Sequence, residues 1–386
     1  MKNTLLILFL LNISLTIAVA QSYPAGVQTI TYTDSSRSNR AVSVEFHYPA
    51  ISTGSNTAFA SDSFPFVVFG HGFVMTPAAY YPFADTLAQR GYIVALPNTE
   101  TSLSPNHSNF ARDLIFIYSK LITENSNATS PLYQKIIAKG AIAGHSMGGG
   151  CAVLSAQYSN PAACYFTLAE ATTSPSSITA APFMTKPYLS FAGSYDCIAP
   201  YTTNQLPTYD SSGSPCKYLI EITGASHCQF GAGAATCNFG EGASGCANPP
   251  LSRSDQINAV LRYLEPYLDF HLKGIAAASV SFDSVYAADL TNTKTKKCPT
   301  SPNGIMDVSA AHIRSYPNPA ADEVYIESDR KIKELRVLDY TGKVVMHLEA
   351  NAERIKIDLA NLTAGVYMVE VTTQDRGRSL VKFIKQ

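Results

Sequence analysis

The sequence predicts an α/β domain built on a mostly parallel sheet with helices on both faces, followed by a small all-β sandwich. Three observations carry that reading. From about residue 25 to residue 275, short apolar runs alternate with amphipathic stretches, the order expected of parallel strands joined by crossover helices. Some of those runs, Phe64–Phe69 above all, are apolar throughout, as in strands buried on both faces. From Ser315 onward the pattern changes to short strands and turns with no long amphipathic helix.

Element by element, Val42–Tyr48 alternates as a half-buried strand, and Phe64–Phe69 ends at Gly70-His71-Gly72. Tyr80–Arg90 is amphipathic and stops at Gly91, a common helix terminator. Tyr92–Leu96 is a further buried strand closed by Pro97. Phe110, Leu114, Ile117 and Leu121 fall at helical spacing within Asn109–Ile122. Lys139–Ala143 reads as a strand, a glycine-rich turn follows, and Cys151–Tyr158 continues as a helix. Strands fit Cys164–Leu168, Tyr188–Ala192 and Tyr218–Ile222, and a last helix fits Ser254–Leu272. Residues 276–311 have mixed polarity and read as a linker. Beyond it, six or seven short strands are expected, with a hairpin turn at Asp339-Tyr340-Thr341-Gly342.

The N-terminus has the pattern of an export signal spanning residues 1–20. Lys2 supplies positive charge, Leu5–Ile17 is apolar but short for a membrane span, and Ala18-Val19-Ala20 is a small-x-small cleavage site before Gln21. Residues 21–275 then form the first domain. The net charge of −1 leaves no basic field to hold nucleic acid, so no nucleic-acid partner is expected. The chain is expected to act as a monomer. Eight cysteines in an exported chain suggest disulfides, with about 105 full connectivities open. No CxxC pair occurs and the histidines do not cluster with the cysteines, so no metal site is expected.

The chemistry is concentrated around Gly144-His145-Ser146-Met147-Gly148, a G-x-S-x-G sequence between a predicted strand and a predicted helix. A sharp strand-to-helix turn exposes a serine hydroxyl above the carboxyl ends of the strands and places a helix N-terminus where negative charge develops. Ser146 is therefore the candidate nucleophile of an α/β-hydrolase fold. In that order of elements an acid and then a histidine follow. Asp196 lies after Tyr188–Ala192 and His227 after Tyr218–Ile222, with Glu170 as the alternative acid. The main-chain amides of Met147, directly after the nucleophile, and Phe73, in His71-Gly72-Phe73, are the candidate oxyanion donors. Such acyl transfer requires no cofactor. Only about 20 residues separate Leu168 from Tyr188, too few for a lid domain, which suits bulky or polymeric esters.

These residues resemble a family. Gly144 to Gly150, Asp196-Cys197-Ile198-Ala199-Pro200 and Gly224-Ala225-Ser226-His227 are similar to the bacterial cutinases and polyester hydrolases, including enzymes acting on poly(ethylene terephthalate), PET. His71-Gly72-Phe73 also fits the dienelactone hydrolases and chlorophyllases. The resemblance, over residues 25–275, implies that Phe73, His145, Met147 and Ile198 touch an ester or polyester substrate. Several members carry a tryptophan opposite Phe73, and this chain has none. Some members join the acid and base loops by a disulfide. That implies pairing of Cys197 with Cys228, with Cys228–Cys237 as the local rival.

The tail has a second resemblance. Tyr316-Pro317-Asn318-Pro319-Ala320, Asp339 to Lys343, Leu362 to Tyr367 and Phe383-Ile384-Lys385-Gln386 resemble the C-terminal sorting domain of type IX secretion. For residues 312–386 this implies engagement of that secretion machinery and a secreted or cell-surface location. Its strands show no row of aromatics, which favours sorting over a substrate-binding module. The expectation is a secreted serine esterase of cutinase or PET-hydrolase type. A lipase or small-ester carboxylesterase, and a non-catalytic surface-binding protein on the same fold, are the alternatives.

Overall fold

The computed structural model describes residues 22–233, 235–299, 313–339, 344–374 and 378–386. The proposed export signal, the end of the expected linker and most of the expected 339–342 turn lie outside the described residues. The chain divides into two compact units, Met1–Pro299 and Thr300–Gln386.

In the first unit the strands are β1 Ala25–Asp34, β2 Arg40–Pro49, β3 Gly54–Ser55, β4 Phe64–Gly70, β5 Ile93–Pro97, β6 Ile136–His145, β7 Cys164–Leu168, β8 Tyr188–Gly193, β9 Lys217–Ile222 and β10 Thr293–Lys297. The helices are α1 Tyr81–Gln89, α2 His107–Glu124, α3 Met147–Leu154, α4 Ser177–Ala180, α5 Gln205–Ser211, α6 Ala235–Ala243, α7 Arg253–Leu268 and α8 Ala276–Ala288. The strands form one sheet in the order β10-β9-β8-β7-β6-β4-β5-β2-β1-β3. The run from β9 to β5 is parallel, and β2 and β10 join its two edges antiparallel. Strand order reverses at β4, which has β5 on one side and β6 on the other, so a crevice opens at the carboxyl ends of β4 and β6.

Period-two alternation splits the core into two layers. Phe66 and Val68 of β4 pack with Phe110, Leu114 and Ile117 of α2 on one face. Val67 and Phe69 pack with Phe83 and Leu87 of α1 and with Val260 and Leu264 of α7 on the other.

The expected linker begins later than its sequence suggests. Residues 276–288 form α8, and 293–297 form the edge strand β10 paired to β9. Their composition conceals this. Only Ala278 and Phe282 of α8 are buried, and β10 reads Thr-Lys-Thr-Lys-Lys, a charged, half-solvated edge.

The second unit is an antiparallel sheet of β11 Ile313–Tyr316, β12 Glu323–Leu338, β13 Val344–Asp358, β14 Gly365–Thr373 and β15 Arg378–Lys385. These are five strands among the described residues rather than six or seven, because β12 and β13 each continue through register shifts as one long strand. The other edge of β12 carries β11 along its first half and β14 along its second. One core results, from Val324, Ile326, Leu335, Ile357, Val369 and Phe383.

Cys216, at the start of β9, is bonded to Cys298, just past β10. A first unit ending at residue 275 should therefore melt about 10 °C below one ending at residue 299, from a loop-closure contribution of about 4.5 kcal/mol. Thermal melts of the two chains check this. Equal midpoints would make α8 and β10 dispensable.

Candidate active site

The turn that carries the candidate nucleophile is set by its glycines. Ser146 lies between β6 and α3 at φ 53°, ψ −123°, a conformation that costs a non-glycine residue about 1–3 kcal/mol and persists only when its surroundings enforce it. A Cβ on Gly144 would lie 2.4 Å from the main chain of Gly148, and one on Gly148 2.2 Å from the carbonyl oxygen of Gly70. Strand β6, helix α3 and the end of β4 thus meet at backbone distance. Ser146 N–H donates to the Leu168 carbonyl at 3.0 Å, and the Ser146 carbonyl accepts from Ala171 N–H at 3.0 Å.

Ser146 Oγ stands 2.8 Å from His227 Nε2, and His227 Nδ1 stands 2.7 Å from Asp196 Oδ2. All three residues are buried. The second oxygen of Asp196 accepts from the amides of Ile198 (2.9 Å) and Ala199 (2.8 Å). Those bonds leave Oδ2 aimed at the imidazole. The acid and base loops are laced together, with Tyr195 N–H on the Ala225 carbonyl (2.8 Å) and Gly224 N–H on Ser194 Oγ (2.8 Å). From α7, the buried Gln256 accepts from Ser226 N–H (3.0 Å) and donates to its carbonyl (2.8 Å), clamping the peptide before His227. Neither Gln256 nor Tyr80, which bonds the amide of Gly72, was foreseen from sequence. Both sit on ordinary helical patterns that carry no signal of the role.

The alternative acid is directed elsewhere. The Glu170 carboxyl is fully buried and takes hydroxyls from Thr167 (2.7 Å), Tyr188 (2.8 Å) and Ser190 (3.0 Å). Burial pushes it up to about 7, and the three hydroxyls only partly oppose that shift.

The amides of Phe73 and Met147 flank the crevice, and neither donates to a protein acceptor among the described residues. Of the four expected substrate contacts, Phe73 (48% exposed) and Ile198 (39%) present side chains to solvent, while Met147 is nearly covered. His145 differs from expectation. It is wholly buried, bonded to Tyr80 and to the His227 carbonyl, and offers no surface to a substrate. Among the described residues, no group of three or more His, Cys, Asp or Glu could hold a metal ion.

The expected Cys197–Cys228 bond does not form, and Cys228 takes its local alternative, Cys237, instead. Cys197, beside Asp196, is bonded to Cys246, and Cys228, beside His227, to Cys237. The chain after His227 turns back as α6 and brings Cys237 and Cys246 within bonding reach, so each triad loop is tied to the α6 segment instead of to the other. Cys151 and Cys164 remain free. They lie in opposite core layers, one on α3 and one on β7, and cannot meet.

Residues 24–241 match the family described as PET hydrolase-like. Residues 314–386 match the secretion system C-terminal sorting domain, which sends a protein out by type IX secretion to the surface or the medium. No curated protein matches the chain.

Two outcomes follow from this geometry. Serine at Cys197 and Cys246, whose loop spans 49 residues, should cost about 4 kcal/mol of unfolding free energy in a denaturant titration. The same change at Cys228 and Cys237, separated by 9, should cost only about 2.5 kcal/mol. Glu170 has a folded-state pKa above its unfolded value, so the folded protein holds the extra proton between about pH 4.5 and 7 and loses stability as pH rises through that window. Thermal midpoints from pH 4.5 to 8 should fall less steeply in Glu170→Gln than in wild type, and parallel curves would refute the assignment.

Proposed function

Because the chain belongs to the PET hydrolase-like family, we propose that this exported hydrolase is a serine esterase that cleaves carboxylic esters, polyesters among them, through an acyl-enzyme. The observation that carries the reading is the unbroken chain from Ser146 Oγ through His227 to Asp196, at 2.8 and 2.7 Å. His227 takes the Ser146 proton as Oγ attacks the ester carbonyl. Asp196 fixes the tautomer and offsets the charge of the imidazolium. The tetrahedral oxyanion is met by the amides of Phe73 and Met147, with the N-terminus of α3 behind them. Collapse expels the alcohol, which takes its proton from His227. Water, activated by the same imidazole, then releases the acid.

The polymer-sized substrate is supported by the open site. Between β7 and β8 the described chain carries only α4 and one short helical turn. Phe73 and Ile198 supply apolar surface on either side of the serine. The absence of tryptophan removes one aromatic clamp and favours chains that need no ring stacking.

Hydrolysis of 4-nitrophenyl butyrate by the wild type and by Ser146→Ala tests the reading. Wild type should turn over and the variant should lose roughly 10³-fold or more in kcat/KM. Polyester films are the next substrate. Absence of turnover by both proteins would overturn ester hydrolysis.

A further inference from the structure

The buried histidine beside the nucleophile and the buried tyrosine it meets are not accounted for by the triad. His145 Nε2 lies 3.0 Å from the main-chain oxygen of His227. A carbonyl only accepts, so Nε2 carries the proton. Burial and the neighbouring His227 keep this ring neutral. Nδ1 is then a bare lone pair, and Tyr80 Oη, 2.8 Å away, must donate to it. The same phenol oxygen accepts the amide proton of Gly72 at 2.9 Å. Met75 Sδ, at 3.3 Å, is the weaker competitor for the phenol proton. The polarity runs one way, from Gly72 N–H to Tyr80 O–H to His145, and from His145 N–H to the carbonyl of His227. Aligned bonds in a dry interior strengthen one another.

We infer that Tyr80 and His145 are positioning residues that lock the oxyanion strand end and the catalytic base into one register, an inference that rests on the serine-esterase reading. At one end of the chain, Gly72 precedes Phe73, whose amide is the oxyanion donor. The peptide carrying that amide is also held through the Gly72 carbonyl, which accepts from Met75 N–H at 3.1 Å. At the other end, His227 is held after its Cα by His145 and before it by the Gln256 clamp on Ser226. A Cβ at position 72 would fall 2.6 Å from Met75 Sδ and 3.1 Å from His145 Nδ1, so a larger residue there would press on this chain. Neither Tyr80 nor His145 reaches the substrate, because both are buried. Their contribution is alignment of groups that do.

Tyr80→Phe removes the hydroxyl and keeps the ring that packs on Phe69. Per active site titrated, kcat on 4-nitrophenyl butyrate should fall about tenfold with KM within about twofold, the signature of lost transition-state alignment. His145→Gln, which can still donate to the His227 carbonyl, should keep more of the rate than His145→Leu, whereas a purely space-filling role would make the two alike. The rate at which a fluorophosphonate labels Ser146 supplies a readout independent of any ester and should fall in parallel. Tyr80→Phe with kcat and labelling rate within twofold of wild type would overturn the inference. Wild type that labels but hydrolyses no ester would defeat the esterase reading alone, and the labelling rates of the variants would still decide the positioning role. Wild type that neither hydrolyses nor labels would remove both.

Discussion

Three stretches of main chain, from the end of β4, the end of β6 and the start of α3, converge at a separation that leaves no room for a Cβ at Gly144 or Gly148. The rest of the site depends on that contact. It turns the chain sharply enough to hold Ser146 at positive φ, and it seats the first turn of α3 against the end of β4. Because strand order reverses at β4, the turn opens into the crevice between β4 and β6 instead of into a helix-covered face. The oxyanion segment leaves β4 on one side of that crevice. The acid and base loops leave β8 and β9 on the other. Each proposed catalytic group is thus delivered by the carboxyl end of a different parallel strand, and registration among them reduces to how those loops are fastened.

The fastening is redundant and of several kinds. Main-chain bonds join the acid and base loops, Gln256 reaches from α7 to the peptide before His227, and the Tyr80–His145 chain reaches from the oxyanion segment to the peptide after it. A transition state senses sub-ångström alignment, and hydrogen bonds buried from water are stiff because breaking one strands a polar atom. Glu170 belongs to the same economy of buried polar groups. Its three hydroxyl partners let a carboxyl sit under the glycine turn without a counter-charge, at the expense of a raised affinity for its proton.

Residues whose role shows in pattern were legible in the sequence. The apolar run Phe64–Phe69, the alternation of Val42–Tyr48 and the G-x-S-x-G turn foretold the sheet and the positions of Ser146, Asp196 and His227, which the structure brings together. What stayed hidden depends on contacts between distant segments. Tyr80 reads as the first residue of an amphipathic helix, and Gln256 as a polar helical residue, until folding sets them against Gly72 and Ser226. His145 stands beside the candidate nucleophile in sequence, and the family resemblance implied substrate contact for it. Successive side chains of a strand point to opposite sides, so the residue before Ser146 is turned into the protein. The Cys197–Cys228 pairing fails for a related reason, whereas the local alternative Cys228–Cys237 forms. Proximity of Cys197 and Cys228 to the triad said nothing about the helix that intervenes, and α6, with Gly240 and Gly242 inside it, lies in a glycine- and alanine-rich stretch that reads as loop.

That same stretch connects the site to the route by which the protein leaves the cell. Helix α6 buries none of its side chains, and Phe239 is 77% exposed. Hydrophobic packing therefore contributes little to keeping it beside the base loop. Its position rests on the Cys228–Cys237 and Cys197–Cys246 bonds, on Glu241 accepting from Cys228 N–H at 2.9 Å, and on Arg253 bonded to the Cys228 and Gly231 carbonyls and to Asn238. Covalent ties of this kind persist only where thiols are oxidised. The C-terminal sorting domain takes the chain to such a place. A segment too poor in apolar residues to pack itself against the site can stay beside Asp196 and His227 outside the cell, where its cysteines are joined, and would keep only its hydrogen bonds to hold it there inside.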